Sequence, residues 1–266
     1  MTILEKYYNK FDEEPRLLTR HGQVEYITSM KYIHDCVSLV KERTVKADNE
    51  IKILDVGAGT GRYSVALCEE GFDVTAVELV KRNLDKLRAK HSMTKTWQGD
   101  ARDLKFLPDN KFDIVLLFGP LYHLHKDSDK VLALKEARRV LSDGGYILVS
   151  YIMNEYSVLT YCFKENHIAE CLANGTLTAD FHGIYNEDDL YDYVRTEDIE
   201  RLNKLASLER VKIIASDGAA DYMRRELAAL SEEDFASFVR YHLSVCERGE
   251  LLGASAHTLD ILRKEV

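Results

Sequence analysis

The middle of the chain alternates short apolar runs with stretches of helical periodicity. The apolar runs lie at residues 51–56, 73–78, 94–98, 112–118 and 146–151. Residues 62–70, 81–90 and 128–141 lie between them and place apolar side chains three or four positions apart, as an amphipathic helix does. Parallel strands joined by crossover helices produce such an alternation. The pattern therefore predicts an α/β core.

The flanking segments are expected to complete this core. An amphipathic helix is predicted from the apolar positions Val24, Ile27, Met30, Ile33, Val37 and Val40. Farther along, residues 211–215 and 255–264 are expected to pair antiparallel at the sheet edge, and helices are expected to start with Thr196 and Ser231 as N-caps. Residues 152–194 show no clear period and carry many Tyr, Asn, Asp and His side chains, which favours an insertion over a pocket.

These elements predict an α/β fold with a doubly wound, mostly parallel seven-stranded sheet of Rossmann-like type, an antiparallel edge strand and a helical insertion or lid. We divide the chain into four segments: an N-terminal helical cover (1–46), the α/β core (47–151), the insertion or lid (152–195) and a C-terminal completion of the sheet with inserted helices (196–266). A ligand is expected beyond the carboxyl ends of the strands, where the strand order reverses.

Composition narrows the function classes. The 266 residues include 45 % apolar and 30 % charged residues and carry a formal net charge of −9, which opposes attraction to phosphate backbones. We therefore do not expect a nucleic-acid partner. The five cysteines lie far apart without CxxC spacing, and neither a signal peptide nor a membrane span is expected. A cytoplasmic protein without a membrane partner is the expectation, and its oligomeric state is left open.

A glycine-rich loop follows the first predicted strand. Gly57, Gly59 and Gly61 form G-x-G-x-G after Asp55, whereas the dinucleotide fingerprint requires G-x-G-x-x-G. Glycines let a ligand approach the backbone closely, and the following helix presents unpaired N–H groups to it. The loop is predicted to bind a ligand, and its spacing disfavours a nicotinamide dinucleotide.

Glu78 ends the second predicted strand, about twenty residues beyond the loop, where an acid can accept hydrogen bonds from both hydroxyls of a ribose. Its position suits the ribose of a nicotinamide or of a methionine-derived nucleoside equally well. Other sequence features must decide between them.

The region 51–151 resembles the class I S-adenosylmethionine-dependent methyltransferases, whose first motif has the form hhhD-x-G-x-G-x-G. The resemblance includes the Gln98-Gly99-Asp100-Ala101 segment, the strand that ends at Phe118 and the Gly144-Gly145 turn. It implies S-adenosyl-L-methionine as cofactor. It assigns the methionine end to the loop, the adenine to an acid and the next backbone N–H, and the methyl group to the end of the fourth strand. The implied cofactor-binding residues are Asp55, Gly57, Ala58, Gly59, Gly61, Glu78, Leu79, Asp100, Ala101 and Phe118.

Methyl transfer is an in-line displacement at an activated carbon, so a protein must mainly align the reactants and exclude water. His123, just beyond the fourth strand, is the candidate base, with Tyr122 beside it as a second catalytic candidate. The more common role of such a histidine is structural. His123, His125 and Asp127 lack the ligand spacing of a metal site, and no metal is predicted.

The segment from Tyr7 to Arg20 is expected to close over the cofactor, and Arg16 or Arg20 is a candidate partner for the methionine carboxylate. A small-molecule methyl acceptor is favoured by the acidic charge and the predicted insertion. The alternatives are an RNA or protein methyltransferase, a non-catalytic binder of the nucleoside and, least favoured, a nicotinamide oxidoreductase. The acceptor atom is left open.

Overall fold

The computed structural model describes residues 3–8, 10 and 16–265, with the side chain of Arg16 left out. Within this part of the chain the strands form one seven-stranded sheet with the order β3-β2-β1-β4-β5-β7-β6. The strands are β1 (Lys52–Val56), β2 (Asp73–Glu78), β3 (Lys95–Gln98), β4 (Phe112–Leu117), β5 (Leu141–Ile152), β6 (Leu208–Ala215) and β7 (His257–Lys264). The order reverses between β1 and β4, so the crevice lies beyond the carboxyl ends of these two strands.

The helices between the strands follow the predicted alternation. They are α1 (Ile3–Tyr8), α2 (Arg20–Thr44), α3 (Arg62–Glu69), α4 (Lys81–Ala89), α5 (Asp127–Val140), α6 (Asn154–Ser157), α7 (Ile168–Ala173), α8 (Thr196–Leu205), α9 (Arg224–Ala229) and α10 (Glu232–Val245). A π-helical segment covers Val158–Lys164, and a 3₁₀ turn covers Pro120–His123. No described helix combines the length and the apolar character that crossing a bilayer would require.

The antiparallel pairing at the sheet edge is confirmed. β1 to β5 are parallel, whereas β7 runs antiparallel to both β5 and β6. β7 lies second from the edge, and β6 forms the edge itself. The C-terminal segment thus completes the sheet: its pairing with β6 was predicted, and its position between β5 and β6 is added by the structure.

Strand β5 begins earlier than its apolar pattern predicts. It starts at Leu141, directly where α5 ends, and pairs with β4 through an irregularity between Phe112 and Ile114. Because Ser142, Asp143 and the two glycines interrupt the apolar run, periodicity alone places the start five residues too late.

Capping contacts define three helix starts. The Thr19 hydroxyl accepts a hydrogen bond from the Gly22 N–H, so α2 begins four residues before its apolar stripe. Ser231 caps α10 as predicted. The prediction of Thr196 as N-cap is wrong, because Arg195 occupies that position and the Asp198 carboxylate accepts its backbone N–H at 2.9 Å.

Alternate residues of each central strand pack into two cores on opposite faces of the sheet. In β4, Val115 and Leu117 join the core formed with α5 and α8, whereas Ile114 and Leu116 join the core formed with α2 and α3. Helices thus cover both faces, which explains the continuous apolar run. The loops that follow the strands then form the cavity at the carboxyl ends of the sheet.

The segment between β5 and α8 leaves and rejoins the sheet at one place. The Val194 N–H donates to the Ile152 carbonyl at 3.0 Å, and the Asn154 N–H donates to the Val194 carbonyl at 2.9 Å. This closure is what an insertion requires, since the chain on either side continues the sheet.

Candidate active site

A cavity of about 660 Å³ lies beyond the carboxyl ends of the central strands. Eleven of the thirteen residues predicted for the site line it: Asp55, Gly57, Ala58, Gly59, Glu78, Leu79, Asp100, Ala101, Phe118, Tyr122 and His123. Gly61 and Arg20 are not among the lining residues. The sheet therefore brings together residues that are up to 68 positions apart in the chain.

The glycine loop has the backbone conformation that its sequence predicts. Gly57 has φ +78°, and a Cβ there would lie 2.7 Å from the Pro120 ring. Gly59 has φ +56°, and a Cβ there would meet no protein atom within 4 Å. Gly57 thus lets the β4 loop approach, while Gly59 leaves open space at the cavity wall for a ligand.

Gly61 serves packing instead. It has φ +86° at the N-cap of α3, and a Cβ would lie 2.1 Å from Leu87 Cδ1 of α4. The third glycine of the motif therefore lets α3 and α4 come together and does not border the cavity.

Glu78 connects β2 to the glycine loop. Its side chain is 5 % exposed, and its two carboxylate oxygens accept the Gly59 N–H at 2.8 Å and the Val80 N–H at 2.7 Å. Burial raises the pKa of this carboxyl, against the lowering effect of those N–H donors. Each oxygen retains a further lone pair, so the carboxylate can hold the loop and still accept hydrogen bonds from a ligand.

Asp55 lies beneath the loop as a second buried acid. Burial raises its pKa to about 6, although the Ser64 hydroxyl donates a hydrogen bond to the carboxylate. Its charge state is therefore sensitive to a cation bound in the cavity above it.

Asp100 is fixed at the end of β3 by Arg102. The guanidinium donates to both carboxylate oxygens, at 3.0 and 2.7 Å, and also reaches Asp129 at 2.7 Å. Partial burial acts to raise the pKa of Asp100, but the hydrogen bonds from Arg102 outweigh it and the pKa lies below its usual value. Asp100 is therefore an ionised acceptor at the β3 side of the cavity.

His123 is held by both ring nitrogens. Nδ1 lies 2.9 Å from the Leu190 carbonyl oxygen, which can only accept, so Nδ1 carries the proton. Nε2 then accepts the Tyr8 hydroxyl at 3.0 Å. Burial lowers the pKa of His123 to about 4. The imidazole is thus neutral, and it connects α1 and the insertion to the end of β4.

The two arginines proposed for the methionine carboxylate have different outcomes. The Arg20 guanidinium lies over the Phe235 ring and pairs with Glu232 of α10 at 2.5 Å, away from the cavity. The side chain of Arg16 lies outside the described part of the chain. Arg62, which directly follows the loop, lines the cavity instead, with its guanidinium 4.4 Å from the Tyr26 ring centre.

Sequence reasoning missed several further lining residues. Ile3 and Leu4 of α1 and residues 187–190 of the insertion lie over the cavity, and Glu25 of α2 lines it from the side. The adjacency of Arg62 to the loop was an available signal. Glu25 follows Val24, the first position of the predicted apolar stripe of α2, and it is buried in the structure. A charged residue beside that stripe was the available signal.

The described residues include one group of side chains that could hold a metal ion. It does not involve His123, His125 or Asp127, at which no metal was predicted. It consists of Glu25, Asp217 and His257, whose ligand atoms lie within 4.8 Å of one another. These residues come from α2, the loop after β6 and the start of β7.

Known proteins share this architecture. Residues 54–149 match a family model described as a methyltransferase domain. The glycine/sarcosine N-methyltransferase of Parasynechococcus marenigrum is 29 % identical over 177 residues, covering 58 % of this chain and 63 % of that protein. The demethylmenaquinone methyltransferase of Tropheryma whipplei is 35 % identical over 100 residues, covering 37 % of this chain and 40 % of that protein. The chain thus spans less than two thirds of either relative.

A solved structure from Thermotoga maritima extends the likeness to almost the whole chain. It is described as an S-adenosylmethionine-dependent methyltransferase and possible histamine N-methyltransferase, and it is 20 % identical with a TM-score of 0.58. The match covers 99 % of this chain and 98 % of that one, which shows a common fold. The domain match falls on the strands and the loop that build the cavity, so residues 54–149 are similar to a methyltransferase domain, and this match together with the relatives supports the class I S-adenosylmethionine-dependent methyltransferase superfamily, in which S-adenosylmethionine is the methyl donor.

Proposed function

We propose that this chain transfers the methyl group of S-adenosylmethionine to a small-molecule acceptor. The observation that carries the proposal is the convergence of the glycine loop, Glu78 and Asp100 on one cavity. These groups end three adjacent strands, β1, β2 and β3, so they follow one another along the crevice. That sequence of contacts suits an elongated nucleoside with the methionine end at β1 and the adenine at β3.

Each part of the donor has a fitting partner. Gly59 leaves open space beside the loop, the buried Glu78 carboxylate has lone pairs for the ribose hydroxyls, and the ionised Asp100 can accept from the adenine amino group. When bound, the donor supplies a methyl group already activated by positively charged sulfur. The chain is left to orient the reactants and exclude water.

Arg62 is our candidate for the methionine carboxylate. Arg102 and Lys126, two other cations that line the cavity, are paired with acids: Arg102 with Asp100 and Lys126 with Glu187. Arg62 follows the loop at the start of α3, where a guanidinium can form a bidentate contact with a carboxylate. In this role Arg62 replaces Arg20.

A small acceptor fits the enclosure of the cavity. Its volume of about 660 Å³ lies within the range typical of small-molecule sites, about 300–1,000 Å³. α1 and residues 187–190 cover it, and acidic side chains outnumber basic ones along its wall. The covering segments would obstruct an RNA substrate, and the acidic wall would repel its phosphate groups. The relatives named above, which act on glycine or sarcosine and on demethylmenaquinone, are consistent with this class.

Two measurements test the proposal. Calorimetry is expected to give micromolar binding of S-adenosylmethionine and of S-adenosylhomocysteine, and no binding of NAD. Incubation with radiolabelled donor and a size-fractionated cell extract is expected to label molecules below about 1 kDa, the fraction that a small closed cavity admits. Labelling confined to RNA or protein would refute the small-molecule acceptor, and donor binding without any labelling would indicate a non-catalytic binder.

A further inference from the structure

The turn that carries His123 lies directly against the glycine loop. This 3₁₀ turn begins at Pro120, and a Cβ on Gly57 of the loop would lie 2.7 Å from the Pro120 ring. Gly119 precedes the turn, and a Cβ there would lie 3.9 Å from the Gly57 carbonyl oxygen. His123 and Gly57 also line the same cavity. The imidazole is therefore carried by the segment next to the loop, where the proposed function puts the methionine end of the donor.

Nε2 is the atom of His123 that can accept a proton. Nδ1 donates to the Leu190 carbonyl oxygen at 2.9 Å, which fixes the ring proton there and leaves a lone pair on Nε2. Burial is the main cause that lowers the pKa of His123 to about 4, and the nearby His125 acts in the same direction. The ring therefore stays in its basic form throughout the neutral pH range.

The Tyr8 side chain shows that an aromatic hydroxyl fits against this lone pair. Its hydroxyl donates to Nε2 at 3.0 Å, and its ring centre lies 5.7 Å from that of His123. Both residues line the cavity. Tyr8 belongs to α1, a helix of six residues in which no residue is buried. A phenol bound in the cavity can therefore take over this hydrogen bond without disrupting the hydrophobic core.

Two further tyrosine rings contact His123. The ring centres of Tyr122, in the same turn, and of Tyr191, in the insertion, lie 4.9 and 5.3 Å from that of His123. Flat aromatic molecules pack favourably in such surroundings, since tilted and edge contacts between rings add to the burial of apolar surface. The position beside Nε2 therefore favours an aromatic acceptor over an aliphatic one.

We propose that Nε2 of His123 accepts the proton of an aromatic hydroxyl on the methyl acceptor, so that the product is an aryl methyl ether. The proposal rests on the proposed function, since it names the acceptor class of the same cavity. The acceptor oxygen bonds to the methyl carbon while the carbon–sulfur bond breaks, and that electron pair stays on sulfur. The hydroxyl proton passes to Nε2, so the positive charge moves from sulfur to the imidazole. The ring returns the proton to water after the product leaves.

Other acceptor groups suit His123 less well. An alkyl ammonium group holds its proton far more tightly than a ring with a pKa of about 4 can remove it. A carboxylate has no proton to give, and the acidic wall of the cavity would repel it. A hydroxyl oxygen becomes strongly acidic as its bond to the methyl carbon forms, so even a weak base can accept the proton at that stage.

The first test measures binding. The probes are para-cresol, β-naphthol and hydroquinone, each compared with its fully methylated ether, and benzylamine serves as an ammonium probe. Thermal stability is measured with S-adenosylhomocysteine present. At least one phenol is expected to stabilise the protein, whereas its ether, which has no proton to donate to Nε2, and benzylamine are expected to do so less or not at all. The difference between phenol and ether is expected to disappear in His123→Ala.

The second test identifies the methylated atom. The small-molecule fraction of a cell extract is incubated with a donor whose methyl carbon is isotopically labelled. The NMR shift of that carbon distinguishes methyl groups on oxygen, nitrogen, sulfur and carbon. The label is expected on an oxygen attached to an aromatic ring.

The third test asks whether His123 acts on the proton. His123→Ala is expected to lower kcat for the phenolic acceptor about 100- to 10,000-fold, the usual contribution of a general base. The Kd of S-adenosylhomocysteine is expected to stay close to that of the wild type. Imidazole added to the solution is expected to restore part of the rate, which it would not do if only the structure had been lost. His34→Ala makes the same change at an exposed position of α2 and is expected to leave kcat unaltered.

A second variant covers the case in which His123→Ala does not fold. The amide of His123→Gln can still donate to the Leu190 carbonyl but cannot take up the proton, so this variant is expected to show a similar loss of kcat.

Several outcomes overturn the assignment. Equal stabilisation by phenols and ethers, no response to any phenol, or an unaltered kcat in a folded His123 variant would each do so. A loss of kcat that imidazole does not restore would make His123 a structural residue. Label on nitrogen, sulfur, carbon or a carboxyl oxygen would refute this inference alone. Because donor binding and labelling are measured separately, the absence of either refutes the proposed function itself.

Discussion

The pKa values of the acidic side chains at the carboxyl edge of the sheet shift in different directions because their hydrogen-bond donors and burial differ. Glu78 accepts backbone N–H groups, Asp55 accepts a hydroxyl, and Asp100 accepts a guanidinium. Only Asp100 has a cation as partner, and its pKa falls, whereas burial raises the pKa of the other two. A ligand with a positive charge is therefore stabilised more strongly near the glycine loop than at β3, where the acid is already paired with a cation.

Glu78→Ala is expected to weaken S-adenosylmethionine binding by about 1.5–3 kcal/mol, the range for hydrogen bonds to a charged group. The variant is expected to fold, with a lower melting temperature because the Gly59 and Val80 N–H groups lose their acceptor. Calorimetry of a variant with native circular dichroism measures the change. Glu69→Ala, an exposed position on α3, is the control and is expected to bind normally. An unaltered Kd in folded Glu78→Ala would remove Glu78 from the donor site.

His123 is expected to make the protein less stable in acid. Its pKa is about 4 in the folded chain and about 6.5 in an unfolded one, so the unfolded chain takes up the proton first as the pH falls. The stability associated with the neutral ring is present above about pH 6.5 and is lost between about 6.5 and 4. Urea unfolding at about pH 7.5 and about pH 5 is expected to show a smaller loss in His123→Gln than in the wild type.

Gln23→Ala provides the control for this measurement, since it removes a side chain that does not titrate. It is expected to lose stability between the two pH values as the wild type does. An identical loss in wild type and His123→Gln would contradict a neutral, acid-sensitive His123.

At the scale of elements, the sequence predicted β1, β2 and β4 to within one residue, because each is a short, mainly apolar run flanked by glycine or polar residues. Helix starts were harder. The Thr19 and Arg195 caps depend on which backbone N–H a side chain reaches, and no periodicity reports that contact. The early start of β5 escaped prediction because residues 142–145 are polar or glycine while their backbone continues the strand.

A substitution at Gly61 tests whether the close packing of α3 against α4 requires glycine there. Gly61→Ala combines a left-handed backbone with overlap on Leu87, so a loss of about 2–4 kcal/mol in the free energy of unfolding is expected. Gly175→Ala has a similar φ of +65° but meets no atom within 4 Å, and about 1 kcal/mol is expected there. Urea denaturation of both variants measures the difference. Equal losses would mean that the backbone conformation alone, and not the contact with α4, requires glycine at position 61.

At the scale of the whole molecule, the part of the cavity wall at β1, β2 and β3 was predictable and the part on the α2 side was not. Asp55, Glu78 and Asp100 lie within two residues of the carboxyl ends of β1, β2 and β3, so their positions follow from the order of elements. Glu25 and His257 are 232 positions apart, and their contact depends on β7 inserting between β5 and β6. Arg20 illustrates the same difficulty, since its partner Glu232 comes from the far end of the chain.

The cover of the cavity depends on α1 meeting the insertion. The Tyr7 and Tyr191 rings are in contact, with centres 6.4 Å apart, and Tyr8 donates to His123, which donates to Leu190. Hydrogen exchange of residues 3–8 and 186–193 is expected to slow when S-adenosylhomocysteine and an acceptor are bound, because lids are drawn from less stable segments. Tyr8→Phe is expected to exchange faster in both segments. Strong and equal protection with and without ligands would make them fixed scaffold.

The strand order separates the two halves of the cavity along the polypeptide as well as in space. Apart from Phe118, the lining residues proposed for donor binding fall within one stretch of 47 residues, from Asp55 to Ala101, whereas the rest of the cavity wall includes residues of α1, α2, the end of β5 and residues 187–190. A chimera that exchanges the donor stretch with that of a related enzyme should therefore keep its acceptor preference. Redirecting the preference would require transplanting several distant segments together, because no single stretch of the chain supplies that part of the wall.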